Sequence, residues 1–488
     1  MAPSTTSARS THHETLGWLY FGGAALLAFF ALVADAVAGA SAASHGHLTV
    51  TAATLAVAVG FIAYLGIAAS RGILSVGWPG LLFPIAFCLF HFGSLGMVDR
   101  GWYREELFGT AWSLSAVCLL AWMFGYLVTR GRSQVDTGAA ARHGRIVLSP
   151  RELDRIAHLG TFATVLGVAM GFAAFWAIGF WDLMYADYSR SRVLLLPEYG
   201  GRPAYVYGIA KLVIVVGVTV TAAAGALGRR RVFHNPPFVV AFAVYLLVLL
   251  HLGDRSEFAT VVFPVALFHH AYVRRFRVRE AVLFGLLLLA TFAVVKASRA
   301  ARTLGDFVYL ATELATLNHL FDEMGYTLDT VIRSLAVVPG DTPYFAGSTY
   351  VQALARAIPN VTFSPRTWGF VSSQWINWET APELAQRGNA LGYSIVAEAY
   401  INFGLVGAPM VHAVIGAVHG RLERVMTGRV VPIWATMAFS LLTVCLLMHV
   451  RNTVVLYLRM GVWVLTMLAG IWLAYVLSRV LRREVRIR

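Results

Sequence analysis

The chain has 488 residues, of which 58% are hydrophobic and only 13% are charged. A soluble domain must cover its surface with polar groups, so this composition excludes an ordinary soluble protein and indicates one surrounded by lipid. The net charge of +14 does not require a nucleic acid partner, because a positive bias in cytoplasmic loops accounts for a basic excess in membrane proteins. The apolar runs are long and lack a period of two, which favours spanning helices over a barrel.

Twelve membrane-spanning helices are predicted, in an all-α polytopic fold with a large extracytoplasmic loop that contains short helices. Each predicted span is near the ~20 residues that cross the hydrocarbon layer. In chain order the spans are 17–39, 48–69, 72–97, 109–129, 157–180, 204–227, 236–253, 257–273, 281–296, 391–418, 430–449 and 454–478. The chain then divides into a cytoplasmic tail (1–16), nine spans (17–296), an extracytoplasmic helical loop (297–390), three spans (391–478) and a basic cytoplasmic tail (479–488).

Arginines in the connecting segments predict the orientation of this bundle. With the N-terminus in the cytoplasm, the arginine-rich connections after spans four, six, eight and ten all face the cytoplasm, as does the basic C-terminal tail. That is the positive-inside pattern. It predicts a multi-pass membrane protein with both termini cytoplasmic, and it places the loop 297–390 outside.

Charged residues inside the predicted spans gather near one end of the bundle. Lys211, Glu398 and Arg459 lie close to the predicted outer ends of their spans, roughly 8–11 Å deep at 1.5 Å per residue. Such residues are costly in a membrane and usually functional. Arginines are also frequent in the outward segments, and guanidinium groups are good donors to phosphate oxygens. This distribution predicts a cavity that opens outward and binds an anion, with membrane lipids around it.

Two outward segments carry candidate cations. The turn HLGDRSEF (251–258) presents Arg255, for which the alternative is a charged hairpin at the interface. The segment KASRAARTLG (296–305) places Lys296, Arg299 and Arg302 at a spacing of three, so that they share one helical face. The alternative there is a set of interfacial anchors. Both segments are interpreted as phosphate-binding candidates.

The segment GNALGYSIVAEAYINFGLVG (388–407) carries the next candidates. Glu398 and Asn402 are four residues apart and share a helical face. A carboxylate there suits a general base for a hydroxyl, a clamp for Arg451 or Arg459, or a purely structural ion pair. His319 in the large loop is a second candidate base, although a single loop histidine is ordinary. No residue set has metal-ligand spacing, and no phosphate-binding glycine loop or nucleophile elbow occurs in the sequence.

Taken together, these segments resemble the Wzy-type O-antigen or oligosaccharide repeat-unit polymerases over residues 240–460. The likeness is carried by the Asp254–Arg255 turn, Arg299, MGYTLDTVI (324–332), GYSIVAEAYINFG (392–404) and Arg451 at an outer turn. The resemblance implies a lipid-donor glycosyltransferase architecture of the GT-C type. It also implies a place in the bacterial inner membrane with the active site facing outward, and a glycan on undecaprenyl pyrophosphate as donor. No cofactor and no metal are implied, and a flippase and a chain-length regulator are the implied partners.

Under this resemblance, Arg255, Arg299 and Arg451 are predicted to hold the pyrophosphate, with Glu398 or His319 as base. Lys296, Arg387, Arg302, Arg459, Lys211 and Asn402 complete the predicted site. Three alternatives stay open. An O-antigen ligase-like transferase would use the same donor with another acceptor. A transporter or flippase would show polar groups through the full membrane and two related halves. A membrane scaffold would not require charges at a shared depth.

Overall fold

The computed structural model describes most of the chain, and every element of regular structure in its described part is a helix. The described residues are 5–38, 43–71, 73, 79–93, 105–131, 148–185, 188–195, 197–228, 235–253, 255–270, 274, 276–300, 304–314, 317–358, 372–386, 392–427 and 432–487. The predicted all-α class is therefore confirmed.

The helices are labelled here in chain order. The first eight are α1 (Thr5–Ala38), α2 (Ala43–Ser70), α3 (Pro79–Phe92), α4 (Glu105–Arg130), α5 (Pro150–Ile178), α6 (Phe180–Tyr185), α7 (Tyr188–Leu194) and α8 (Pro197–Leu227). The next eight are α9 (Pro236–Leu252), α10 (Arg255–Phe268), α11 (Val278–Ala300), α12 (Leu304–Leu314), α13 (Leu317–Val337), α14 (Ser348–Ala357), α15 (Ser372–Thr380) and α16 (Pro382–Gln386). The last three are α17 (Ile395–Thr427), α18 (Ile433–His449) and α19 (Val454–Ile487).

Seven helices in the described part of the chain are long and apolar enough to cross a membrane: Glu14–Ala34, Leu48–Ser70, Leu107–Arg130, Pro150–Ile178, Gly200–Leu227, Ile395–Met426 and Val454–Val480. Four further apolar helices are shorter, with Pro79–Phe92, Pro236–Leu252, Ser256–Phe268 and Ile433–His449 falling in the predicted third, seventh, eighth and eleventh spans. The predicted ninth span lies in α11. The chain is thus a multi-pass helical membrane protein.

Two buried clusters organise the bundle. One is built from α1 to α4, α13 and α17, and the other from α5, α8, α9, α10, α18 and α19. Glycines bring helices together in both. A Cβ on Gly416 of α17 would lie 2.0 Å from the carbonyl oxygen of Trp122 in α4, and one on Gly160 of α5 would lie 2.7 Å from the amide of Thr221 in α8. Without a hydrophobic force between helices in lipid, such small-residue contacts hold spans together.

Two elements depart from a simple arrangement of spans and surface loop. Helix α13, within the predicted loop 297–390, buries Leu328, Val331 and Ile332 against α3, α4 and α17, so its second half belongs to the core of the bundle. Helix α17 continues past the predicted span end at 418 to Thr427 and carries the fully buried Glu423. Glu423, close to the predicted cytoplasmic connection, is therefore buried inside the bundle.

Candidate functional site

Helix α17 changes direction at Gly404. This glycine has φ +68° and ψ −168°, a left-handed value inside an otherwise helical run, which glycine adopts without steric cost. A Cβ on Gly407 would lie only 2.2 Å from the Cβ of Phe403, so the turn is sharp enough to require a second glycine. The helix therefore has two arms, residues 395–403 and residues 405–427.

Both arms of α17 return to the same part of α3. Ser394 Oγ, just before the first arm, lies 2.9 Å from His91 Nε2, and His412 in the second arm contacts the ring of Phe87. Along a helix, Ser394 is about 15 Å and His412 about 12 Å from Gly404. Because the two ends meet α3 one turn apart, the arms form a V with its apex at Gly404.

The hydrogen bonds at Ser394 fix the start of this V. His91 Nδ1 lies 3.2 Å from the carbonyl oxygen of Phe87, which can only accept. The proton of the imidazole is therefore on Nδ1, and Nε2 accepts from the Ser394 hydroxyl. Ser394 Oγ in turn accepts from the amides of Val396 and Ala397, which makes it the N-cap of the first arm.

Glu398 caps a second helix. Its side chain is fully buried, and its Oε2 atom accepts a hydrogen bond from the amide of Val454 at 2.6 Å, at the first residue of α19. A carboxylate at a helix N-terminus satisfies an otherwise unpaired amide and interacts favourably with the helix dipole. The predicted base or clamp is therefore placed where it holds the start of α19.

The turn between α18 and α19 lies between these two capped helix starts and carries Arg451. The carbonyl oxygen of Arg451 accepts from the amide of Tyr393 at 3.2 Å. Its guanidinium carbon is 5.7 Å from the centre of the Phe90 ring, a cation–π distance. Gly392, at φ +85°, comes so close that a Cβ there would lie 3.3 Å from Arg451 Nε. The half-buried arginine is thus held at the junction of α3, α17, α18 and α19.

This arrangement is electrostatically suited to an anion. The N-termini of α17 and α19 carry partial positive charge, and the permanently charged Arg451 lies in the turn between α18 and α19, next to both. The Glu398 carboxylate offsets part of that charge and is itself engaged in capping. The chemistry available at the junction is charge stabilisation, since an arginine side chain does not give up its proton in proteins.

The side chain of Asn402 connects two helices beside this junction. Its Nδ2 donates to Thr349 Oγ1 at 2.8 Å and to the Glu398 carbonyl oxygen at 2.7 Å, and its Oδ1 accepts from the amide of Gly347. The shared face predicted for Glu398 and Asn402 is confirmed. The amide of Asn402 ties the start of α14 to the first arm of α17.

The side chains of two further predicted site residues, Lys211 and Arg459, are described and lie elsewhere in the bundle. Lys211 Nζ is 2.5 Å from Glu257 Oε1, which joins α8 to α10. Arg459 is exposed on α19, with its guanidinium carbon 5.8 Å from the Trp463 ring. The structure therefore brings Glu398, Asn402 and Arg451 together.

The remaining six predicted residues have no described side chain. Arg255 begins α10, Lys296 and Arg299 lie in the last turns of α11, and His319 lies near the start of α13. The structure places only their backbones. Arg302 and Arg387 lie outside the described residues altogether. Their predicted roles stay predictions.

Four buried polar residues of the junction were not predicted as site residues: His91, Ser394, His412 and His449. The sequence signal for the histidines is their position inside apolar runs, and for Ser394 a serine that begins such a run. A separate buried network lies at the other end of the second arm of α17. There Glu423 accepts from Arg130 Nε at 3.2 Å and from the Tyr126 hydroxyl at 2.8 Å.

The segment 324–332 contributes a further buried acid, Asp329. Asp329 of α13 pairs with Arg333 at 2.7 Å, and Arg333 also donates to the Thr380 carbonyl oxygen at 2.9 Å. Burial raises the pKa of the Asp329 carboxyl, and the Arg333 charge partly opposes that rise. This pair joins α13 to α15.

The fold and the junction define a multi-pass helical membrane protein with a broken helix and an arginine at the turn between its last two helices. A sequence model of the family described as O-antigen polysaccharide polymerase Wzy matches residues 229–484, which is more than half of the chain. The chain belongs to this family, as the sequence resemblance predicted. The match begins before α9 and ends within α19, and thus includes both arms of α17 and the Arg451 turn. No curated protein and no solved structure matches the chain.

Proposed function

We propose that the protein joins oligosaccharide repeat units carried on undecaprenyl pyrophosphate into surface polysaccharide. In this proposal the chain crosses the bacterial inner membrane twelve times, has a GT-C-type architecture with both termini in the cytoplasm, and works at the outer face. A flippase would deliver the substrate, and a chain-length regulator would act on the product. Family membership supports the polymerase role.

The observation that carries the proposal is the position of Arg451. Transfer requires the acceptor hydroxyl to attack the anomeric carbon while the bond from that carbon to the pyrophosphate oxygen breaks. The leaving lipid pyrophosphate then gains negative charge, and a base takes the proton of the hydroxyl. An arginine held in place beforehand stabilises such charge without having to reorganise during the reaction. Arg451 meets this condition because its carbonyl oxygen accepts a hydrogen bond from the amide of Tyr393 and its side chain packs on Phe90.

The role of Glu398 follows from its contact. Because Oε2 bonds the amide of Val454, we assign Glu398 to positioning the turn that carries Arg451. His319 is then the candidate base. Arg255 and Arg299 are proposed to bind the pyrophosphate together with Arg451, with Lys296, Arg302 and Arg387 beside them.

A substitution series tests the cationic mechanism. Arg451→Ala is expected to reduce polymer formation by about 10²–10³-fold, the usual cost of removing one donor from a developing anion, and Arg255→Ala is expected to reduce it as well. Arg451→Lys should restore part of the activity, because it keeps the charge but loses the fork of donors. Arg274→Ala is the matched control, since Arg274 is exposed between α10 and α11 and pairs with Glu280 of α11. An unchanged amount and length of polymer in Arg451→Ala, at a normal protein level, would contradict the mechanism.

A reconstituted reaction tests the function itself. The purified protein is incubated with a synthetic lipid-pyrophosphate repeat unit in the presence of EDTA, and the products are separated by size. A ladder of products supports a metal-independent polymerase. A single addition onto a foreign acceptor would instead indicate a ligase, and a reaction that EDTA abolishes would refute metal independence.

A further inference from the structure

An apolar cavity lies beside the second arm of α17. Its volume is about 380 Å³, and it lies between α17, α14, α18 and α19. Met410, Val414 and Val418 form one wall, at successive positions four residues apart, and Val454 and Tyr457 of α19 form the facing wall. Residues four apart share a helical face, so the wall is a continuous stripe about 12 Å long.

The cavity opens towards lipid. Met410, Val414 and Val418 are each at least half exposed, although they lie in the candidate span Ile395–Met426. In a spanning segment, such exposed apolar side chains face the hydrocarbon layer. A ligand can therefore enter the cavity sideways from the bilayer, and its part in the cavity must be apolar. Methionine suits such a surface because its side chain adapts to irregular shapes.

One part of the wall is polar and lies near the proposed reaction site. His449 lines the cavity, is 2% exposed and stacks flat on Tyr457, with ring centres 5.0 Å apart. Neither of its ring nitrogens has a hydrogen-bond partner among the described residues. A buried polar group without a partner is costly and points to a ligand or water that completes it. His449 is the last residue of α18, directly before the turn that carries Arg451.

We propose that this cavity holds the polyprenyl chain of the lipid-linked substrate, with the phosphate end at His449 and the chain along Met410, Val414 and Val418. The proposal rests on the proposed function, which places the pyrophosphate at the Arg451 turn. The cavity is continuous with that turn through His449 and Val454. A polyprenyl pyrophosphate carries one chain on its phosphate group, whereas a phospholipid carries two and would leave one outside the cavity. His449 then donates to a phosphate oxygen, which supplies a partner for one of its two ring nitrogens.

Chain-length dependence tests the proposal. Initial rates are measured for the purified protein in nanodiscs with the same repeat unit on a long polyprenyl pyrophosphate and on a two-isoprene analogue. Val414→Trp fills the cavity, so it is expected to raise KM for the long-chain substrate about tenfold and to leave KM for the short one unchanged. His449→Ala should raise KM for both substrates. Val425→Trp is the matched control, because Val425 is exposed on the same helix but does not line the cavity.

Several outcomes would overturn the proposal. An equal effect of Val414→Trp on both substrates, or no effect on either, would exclude a chain-binding role. If unmodified protein polymerises neither substrate, the proposed function fails instead, which is a separate result.

If the variants do not fold, a second measurement tests the proposal on the unmodified protein. It does not depend on turnover. A diazirine-bearing polyprenyl pyrophosphate should label unmodified protein within residues 410–418, and excess unlabelled polyprenyl pyrophosphate should prevent the labelling. Equal competition by phosphatidylglycerol would show a general lipid groove and refute the proposal.

Discussion

Replacing Glu398 separates a capping role from a role as general base. Its Oε2 atom accepts from the amide of Val454 at 2.6 Å inside the protein. Glu398→Gln keeps a side-chain oxygen that accepts the same hydrogen bond, but it removes the negative charge and the ability to take up a proton. Glu398→Ala removes the acceptor as well. If Glu398 is a cap, Glu398→Gln should impair the protein less than Glu398→Ala. If Glu398 is the general base, both changes should abolish activity.

The expected magnitudes follow from the contact. Glu398→Ala leaves a buried amide unpaired, which costs about 1–3 kcal/mol, and removes a helix-dipole interaction of about 0.3–2 kcal/mol. Glu398→Gln loses only the charge-assisted part, since such bonds are roughly twice as strong as neutral ones. We therefore expect a loss of about 2–4 kcal/mol in unfolding free energy for alanine and about 1 kcal/mol for glutamine. Glutamine should keep activity within about tenfold, whereas loss of a general base costs about 10²–10⁴.

The assay combines thermal unfolding of the purified variants with the polymer ladder from the reconstituted reaction. Glu379→Ala serves as the control, because Glu379 is exposed on α15 and surface changes usually stay within about 0.5 kcal/mol. The reasoning is refuted if Glu398→Gln unfolds like the unmodified protein but is as inactive as Glu398→Ala. That result would indicate that Glu398 acts as the general base.

Three further predictions follow from other parts of the bundle. Gly404→Ala should lower stability by about 1–3 kcal/mol because alanine is strained at φ +68°, whereas Gly470→Ala, with open space around its Cβ position, should leave the melting temperature unchanged or higher. Glu423→Ala should lower stability by about 3–5 kcal/mol, since it leaves the charge of Arg130 buried and unpaired; a melting temperature equal to that of the unmodified protein would contradict this. The raised pKa of Asp329 means that the folded state holds its proton more tightly than the unfolded state, so its contribution to stability falls as pH rises from its unfolded pKa through its folded pKa. Asp329→Asn should flatten the dependence of melting temperature on pH in that window, and an unchanged dependence would show that another group titrates.

Much of the site could be anticipated from local sequence alone. The apolar runs predicted spanning helices, and the four-residue spacing of Glu398 and Asn402 predicted a shared face, which the bond from Asn402 Nδ2 to the Glu398 carbonyl oxygen bears out. Arg451 was singled out because it stands at a predicted turn between two spans. These features depend on residues close together in the chain, so helical periodicity is enough to predict them.

The sequence by itself determined the membrane class, the helices and the family, because composition and periodicity are local properties of the chain. Only the tertiary structure decided what those helices bring together. Ser394 meets His91 across 303 positions, and Glu398 caps a helix that begins 56 positions later. Lys211 likewise pairs with Glu257, on another helix, and not with the Arg451 junction. Such pairings depend on how helices pack and on the change of direction at Gly404, and no periodicity within a single helix encodes them.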